Sequence, residues 1–290
     1  MQNYKECSGA LRFAALILTA VLQTTAADVS VAANIKQDQT PGQHLTPIQL
    51  EIEKQRQRLS SAEAEDRREA LTRLGSMHHA AASRAALAAL SDPSPMVRAT
   101  AASSVLSLPA EESAASLLPL LADKEEFVRQ QVAYALGQTR SRAAVPALIE
   151  RLADKKDSVR GSAAVALGQI ADAAAVPNLA ALLNPRSESI PAKKNKKNKR
   201  EQNPFVLRAA AKSLGQIGDR AGLPALVAVL QDEKAEDDVR REAAFALGAI
   251  GDPSAIPVLR SALTARDPYL SQAAQEAIRK ISRLQNSRGT

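Results

Sequence analysis

Several kinds of chemistry are missing from this sequence. Its one cysteine, Cys7, stands near the start of the chain, so neither a disulfide framework nor a buried thiol pair is available further along. Tryptophan is absent, and aromatic residues make up 2% of the chain, which leaves few platforms for stacking on bases. The histidines are His44, His78 and His79. Two adjacent histidines on a helix point about 100° apart and do not chelate one ion as an i, i+4 pair does, so His78-His79 is read as a surface turn. No H-E-x-x-H, no G-x-S-x-G and no Gly-rich phosphate loop occurs. No catalytic residue, metal ligand or cofactor site is therefore expected.

What the chain has instead is repetition. Val97-Arg98, Val128-Arg129 and Val159-Arg160 stand 31 residues apart, as do Gly137 and Gly168. The pattern resumes later with Leu207-Arg208 and Gly215, then Val239-Arg240 and Gly248. A fixed period of this size specifies stacked supersecondary units that share a continuous core.

Each unit carries two helical stripes. Val128, Val132, Ala135 and Leu136 follow the spacing of one helix face, and Gly137 is expected to end that helix. A second stripe follows in Val145, Leu148, Ile149 and Leu152. Pro146, Pro177, Pro224 and Pro257 fall in the first turn of the second helix, where a missing N–H has no consequence. The pairs Gly218-Asp219 and Gly251-Asp252 mark the turn between the two helices. The first two units depart from the pattern: Leu106 replaces the glycine, Ala115 the proline, and His78-His79 the turn. Thr46-Pro47 reads as an N-cap with proline at the first helical position, and Ile48, Ile52 and Leu59 share one side of the helix that follows.

The pattern D-x-x-x-x-V-R-x-x-A-A-x-A-L-G-x-I-G-D-x-x-A-x-P-x-L resembles the short HEAT repeat of the phycobilisome-lyase type. That resemblance implies an all-α fold, a right-handed α-solenoid of about six and a half stacked helix pairs over residues 62–284. Helices packed about 8–10 Å apart would build a curved rod roughly 60 Å long. The same resemblance brings in enzymatic relatives. Deoxyhypusine hydroxylases of this repeat type bind iron through His-Glu dyads, and no His-Glu pair occurs here. Bilin lyases share the scaffold positions, but an exported chain without a mature cysteine suits their cytoplasmic work poorly.

Export is expected from the N-terminus. Lys5 and Arg12 precede an apolar run, Phe13 to Leu22, and Thr25-Ala26-Ala27 offers small residues for cleavage, so residues 1–27 read as a signal peptide. The run is too short to span about 30 Å of hydrocarbon, so no transmembrane segment is expected after cleavage. Residues 28–45 read as a disordered leader, 46–61 as an N-terminal capping helix and 285–290 as a tail. A bacterial periplasmic or secreted protein follows.

The formal net charge of +7 is concentrated in one place. Residues 185–203 hold seven basic and two acidic residues, and they interrupt the repeat between two complete units. A like-charged polar run of this kind should be disordered. Lys193, Lys194, Lys196, Lys197, Lys199 and Arg200 are candidate contacts for an anionic surface or partner.

Two further residue sets stand out. Arg98, Arg129, Arg160, Arg208 and Arg240 recur with inter-unit Asp123, Asp154 and Asp232, which reads as a structural ladder that stitches units together rather than a phosphate-tracking surface. Outward positions of the second helices, namely Ala147, Glu150, Arg151, Asn178, Ala181, Ala225, Ala228, Val258 and Ser261, are candidate concave-face contacts. Phe127, Tyr134, Phe205, Phe245 and Tyr269 sit at repeat positions and are expected to fill the core. Together these features describe an exported, non-catalytic scaffold or adaptor that binds a protein partner. The alternatives are a lyase-type enzyme or enzyme subunit, and nucleic-acid binding through the basic loop, which the distribution of charge disfavours.

Overall fold

Helix is the only regular structure among the described residues of the computed structural model, which are 45–184 and 203–287. The expected signal peptide, nearly all of the leader, and Lys193 to Arg200 lie outside them. The described chain opens with α1 (Pro47–Arg58), held at its start by a reciprocal capping box. The Gln49 N–H donates to Thr46 Oγ1 at 3.4 Å, and the Thr46 N–H donates to Gln49 Oε1 at 2.8 Å. Ile52 is buried and Leu59 packs on the core, whereas Ile48, expected on the same side, stays exposed one turn short of it.

Six helix pairs follow in chain order. They are α2 (Ala64–Ser76) with α3 (Ala80–Ala86), α4 (Pro95–Ser104) with α5 (Ala110–Leu117), and α6 (Glu126–Thr139) with α7 (Val145–Arg151). Next come α8 (Asp157–Ile170) with α9 (Val176–Leu183), α10 (Pro204–Ile217) with α11 (Leu223–Gln231), and α12 (Asp237–Ile250) with α13 (Ile256–Ser261). A single long helix, α14 (Pro268–Asn286), closes the series. The result is the all-α solenoid that the repeat implies. Val128, Val132, Ala135 and Leu136 are almost fully buried, as are Leu148 and Leu152, so both stripes form one core shared between units. Each expected proline is the second residue of its helix, from Pro146 in α7 to Pro257 in α13.

The turn inside each pair is built the same way in five of the six units. One residue adopts the left-handed conformation, and the next turns its side chain onto an N–H two residues on. Gly218 (φ 75°) and Gly251 (φ 74°) do the first job without strain, while His78 (φ 48°), Arg140 (φ 54°) and Ala171 (φ 58°) do it with a Cβ. Asp172, Asp219 and Asp252 do the second, accepting from Ala174, Ala221 and Ser254 at 2.8–2.9 Å. In the first unit His79 takes the aspartate's part, its Nδ1 accepting from the Ala81 N–H at 3.1 Å.

The repeated glycine does not end the first helix. α6 runs past Gly137 to Thr139, and α8 runs past Gly168 to Ile170. Gly137 is there because the next first helix lies against it: a Cβ would sit 2.7 Å from the Ala166 Cα. The same distance is 2.8 Å for Gly215 and Ala246, and 2.7 Å for Gly248 and Ala277. Leu106 occupies the equivalent position in the second unit, and there the helix stops early, α4 ending at Ser104. A leucine does not fit against a neighbouring backbone, so the chain leaves the helix before reaching it.

Two opposite outcomes are expected from small changes here. Gly215→Ala should destabilise the fold by about 1–3 kcal/mol through overpacking, which exceeds the roughly 1 kcal/mol that alanine gains in helix propensity. Ala171→Gly should stabilise it by about 0.5–1 kcal/mol, since relief of the left-handed strain outweighs the greater chain entropy of glycine. Urea unfolding of the two variants measures both.

Candidate protein-interaction face

The arginine ladder is a set of stitches between the links that join units. Arg98 Nε and its terminal nitrogen donate to both Asp123 oxygens at 2.7 and 2.9 Å, while its other terminal nitrogen donates to the Asp92 carbonyl at 2.8 Å. Arg129 repeats this with Asp154 at 2.9 and 3.0 Å and with the Asp123 carbonyl at 2.8 Å. Each aspartate also caps its own link, Asp123 accepting from the Glu125 N–H at 2.9 Å. One rung was not read from the sequence: Arg67 pairs with Asp92 at 2.7 Å. Its signal was available, because Arg67 and Asp92 each stand 31 residues before Arg98 and Asp123.

Beyond these three rungs the ladder changes. Arg160 donates to the Asp154 carbonyl at 2.9 Å and pairs with Asp157 on its own helix, because Pro185 stands where the next aspartate would be. Arg208 pairs with Asp238 at 3.1 Å in a more exposed setting. Arg240 lies near Asp237 at 3.6 Å. Asp232 accepts from the Lys234 N–H at 3.0 Å and takes part in none of these pairs.

The ladder holds its carboxylates ionised. The Arg67 and Arg98 guanidinium groups hold the Asp92 and Asp123 carboxyls below their ordinary value of 3.8. For Asp154, burial pushes the other way, and the hydrogen bonds from Arg129 and the Lys156 N–H outweigh it. Glu242 behaves oppositely: burial raises its carboxyl above 4.5, against the pull of Lys212 and Arg208.

The second helices offer less surface than expected. Ala181 is buried, and Ala147, Ala225 and Val258 are half-buried against the core. Asn178 is half-buried too. Arg151 donates to the Leu121 carbonyl of the preceding unit at 3.0 Å, which makes it another stitch. Only Glu150, Ala228 and Ser261 of that set are exposed.

Exposed apolar side chains lie at α1, where Leu45, Ile48 and Leu50 face solvent, at Leu263, and in greatest number along the first helices and α14. Phe127, Tyr134, Phe205, Phe245 and Tyr269, expected in the core, are 37–64% exposed, and Met96 joins them. Phe127, Phe205 and Tyr269 each immediately precede a buried residue, and a step of about 100° carries the ring off the core stripe and onto the outward face. Where the first helices approach most closely the facing residues are Gly, Ala and Ser, and the Phe205 ring lies over Gly161 of the preceding first helix. Tyr269 is held there by the Arg241 guanidinium, 5.7 Å from the ring centroid.

Two grooves cross this face. One, of about 280 Å³, lies over α10, α12 and α14 and is lined by Lys212, Glu242, Phe245, Glu276 and Lys280 among others. The other, of about 590 Å³, lies over α2, α4 and α6 between Met96 and Phe127. Among the described residues no group of three His, Cys, Asp or Glu residues is placed to hold a metal ion. No helix among them is long and apolar enough to cross a membrane.

The ladder should be felt in stability and not in binding. Arg98→Ala leaves Asp123 and two carbonyls unpaired in a nearly buried site, and should cost about 3 kcal/mol. Arg208→Ala, at an exposed pair, should cost under about 1 kcal/mol. Because the three aspartates have lowered folded values, their contribution is complete above about pH 4 and is lost as pH falls through those values. Urea titrations between pH 7 and pH 2 should show that loss in the native chain, and a smaller one in Arg98→Ala.

No curated protein matches the chain. Among solved structures, the complex of CpcE and CpcF of phycocyanin lyase from Nostoc sp. PCC7120 is 22% identical, covering 92% of this chain and 98% of that one, with a TM-score of 0.48. Human deoxyhypusine hydroxylase in complex with glycerol is 21% identical, covering 80% of this chain and 84% of that one, with a TM-score of 0.40. An engineered protein is 22% identical over 80% of this chain and 96% of its own, with a TM-score of 0.39. The family of HEAT repeats matches residues 52–136, 114–190 and 198–282, well over half of the sequence. The tight first-helix layer, the recurring capped turns and these three matches have one meaning: the chain belongs to the HEAT-repeat family.

Proposed function

We propose that this protein is a non-catalytic scaffold or adaptor that binds a protein partner through the outward face of its first helices. The observation that carries the proposal is the row of exposed rings, Phe127, Tyr134, Phe205, Phe245 and Tyr269, on one side of the solenoid. Aromatic anchors on a surface stabilise an interface by burying large area with little loss of side-chain freedom. Keeping them in water has a standing cost, which a partner removes on docking. The ladder and the caps hold the helices that display them.

The workplace proposed is outside the cytoplasm of a bacterium, as a periplasmic or secreted protein. Lys5, Arg12, the run from Phe13 to Leu22 and Thr25-Ala26-Ala27 support it. An anionic surface is a second proposed contact, through Lys193, Lys194, Lys196, Lys197, Lys199 and Arg200. Attraction of about 1 kcal/mol per basic residue near an anionic membrane supports that reading.

Photo-crosslinking in the source bacterium tests the docking face. A crosslinking residue at Phe127 or Phe245 should capture one protein, and the same residue at Glu150 or Ala228 on the second helices should not. Capture from the second-helix positions alone would overturn the assignment. The mass of the crosslinker-bearing chain itself, purified from the same cells, reports export: a mature N-terminus near Ala27 is expected, and retention of Met1 would remove the periplasmic reading.

A further inference from the structure

The groove over α2, α4 and α6 differs in chemistry from the rest of the surface. None of its twelve lining residues is Asp, Glu, Lys or Arg, in a chain whose residues are 24% charged. Its floor is made of Gly75, Ala99, Thr100 and Ser104, and its walls include Met96 and Phe127. The floor is low for a reason already visible in the fold: α4 carries small residues outward and ends at Ser104, before Leu106.

The hydrogen-bonding groups in the groove are specific in what they leave free. Thr72 Oγ1 donates its proton to the Arg68 carbonyl at 3.0 Å, Ser76 Oγ to the Arg73 carbonyl at 2.8 Å, and Thr100 Oγ1 to the Met96 carbonyl at 2.9 Å. A hydroxyl has one proton, so these three present only acceptor lone pairs outward. Gln131 Nε2 donates to Ser103 Oγ at 2.9 Å, which leaves the Ser103 proton and one amide proton free. Gln130 is also in the lining and makes no hydrogen bond among the described residues, so its carbonyl and both amide protons are available.

We propose that this groove binds an extended, uncharged segment of the partner's polypeptide; the proposal rests on the first-helix face being the docking face. Unpaired backbone N–H groups are the donors that three spent hydroxyls require, and backbone carbonyls suit the free protons of Ser103, Gln130 and Gln131. A docked helix brings neither, because its backbone groups are satisfied internally. Charge decides the rest of the chemistry. A Lys, Arg, Asp or Glu side chain entering the groove loses water and meets no carboxylate, ammonium or guanidinium among the lining residues, whose one titratable group is the His78 imidazole, so a neutral segment is selected. Two helix-to-helix steps of about 8–10 Å separate α2 from α6, and at about 3.3 Å per residue the footprint is roughly five to six residues. Alternate side chains of such a segment face the groove, where Met96 adapts to shape and Phe127 supplies a flat wall.

The test is a selection of random twelve-residue displayed peptides on the full-length protein, followed by anisotropy measurements on the enriched peptides. The enriched sequences should be depleted in Asp, Glu, Lys and Arg. Thr100→Trp, which fills the groove from an outward position, should weaken binding about tenfold or more. N-methylation of alternate peptide nitrogens should weaken it in one register and not the other. Ser103→Glu should shift the selection toward basic peptides, and Arg260→Ala, exposed on α13 away from the first-helix face, should leave affinity unchanged. Circular dichroism and urea midpoints keep folding failures apart from binding losses. Charged enriched sequences, unchanged affinity in Thr100→Trp, insensitivity to N-methylation in both registers, or no enrichment would each overturn the proposal. The docking face stands or falls separately, on whether partner crosslinks come from Phe127 and Phe245.

Discussion

Backbone approaches backbone wherever Gly137, Gly215 or Gly248 meets the alanine of the next first helix, and the rest of the architecture depends on that contact. A side chain there would stand under 3 Å from the neighbouring Cα. Close packing of the first helices puts Gly, Ala and Ser at the closest approaches, with Gln169, Gln216 and Phe205 laid over glycines of the neighbouring helix, and it sends most other large side chains into the shared core or out to solvent. The leucines go inward, where Leu136, Leu167, Leu214 and Leu247 are fully buried. The rings go outward. A surface bearing exposed aromatics is thus a consequence of how tightly the helices pack.

Polar groups are handled by a small number of repeated devices. Link aspartates close the turn that leads into the next helix and receive the arginine of the preceding unit, so one carboxylate satisfies a backbone N–H and a guanidinium together. The rungs at Arg67, Arg98 and Arg129 are alike because the spacing from each arginine to its aspartate is constant at 25 residues. The sequence between 185 and 202 breaks that spacing, and the later arginines find partners on their own or adjacent helices. The solenoid is therefore stitched more tightly before this segment than after it.

The two grooves show how one repeat yields different chemistry along its length. Over α10, α12 and α14 the outward positions hold Lys212, Glu242, Glu276 and Lys280, and Glu242 keeps its proton more readily because burial disfavours its charge. Over α2, α4 and α6 the same layer holds hydroxyls, amides, the His78 imidazole and the apolar Met96 and Phe127, with no Asp, Glu, Lys or Arg. The backbone is similar in both places, and the difference lies in which residues the repeat leaves unconstrained.

The sequence by itself determined the period, the helix pairs, the N-cap at Thr46 and the proline starts, because these are local or follow from spacing along the chain. It also pointed to the pairing of Arg98 with Asp123 and of Arg129 with Asp154, since both residue types recur with the unit, but not to the other partners that Arg160, Arg208 and Arg240 take. The role of Gly137 was not legible: a glycine near a helix end reads as a terminator until the neighbouring helix is in place. Nor was the fate of Phe127, Tyr134, Phe205, Phe245 and Tyr269. Period places a ring next to the core stripe, and only the distance to the adjacent helix decides whether it fits inside. Two of the second-helix positions were lost to a partner for a related reason, Ala181 being buried and Arg151 engaged to the preceding unit. What faces solvent in a solenoid is set by contacts between units, and those contacts exist only once the units are stacked.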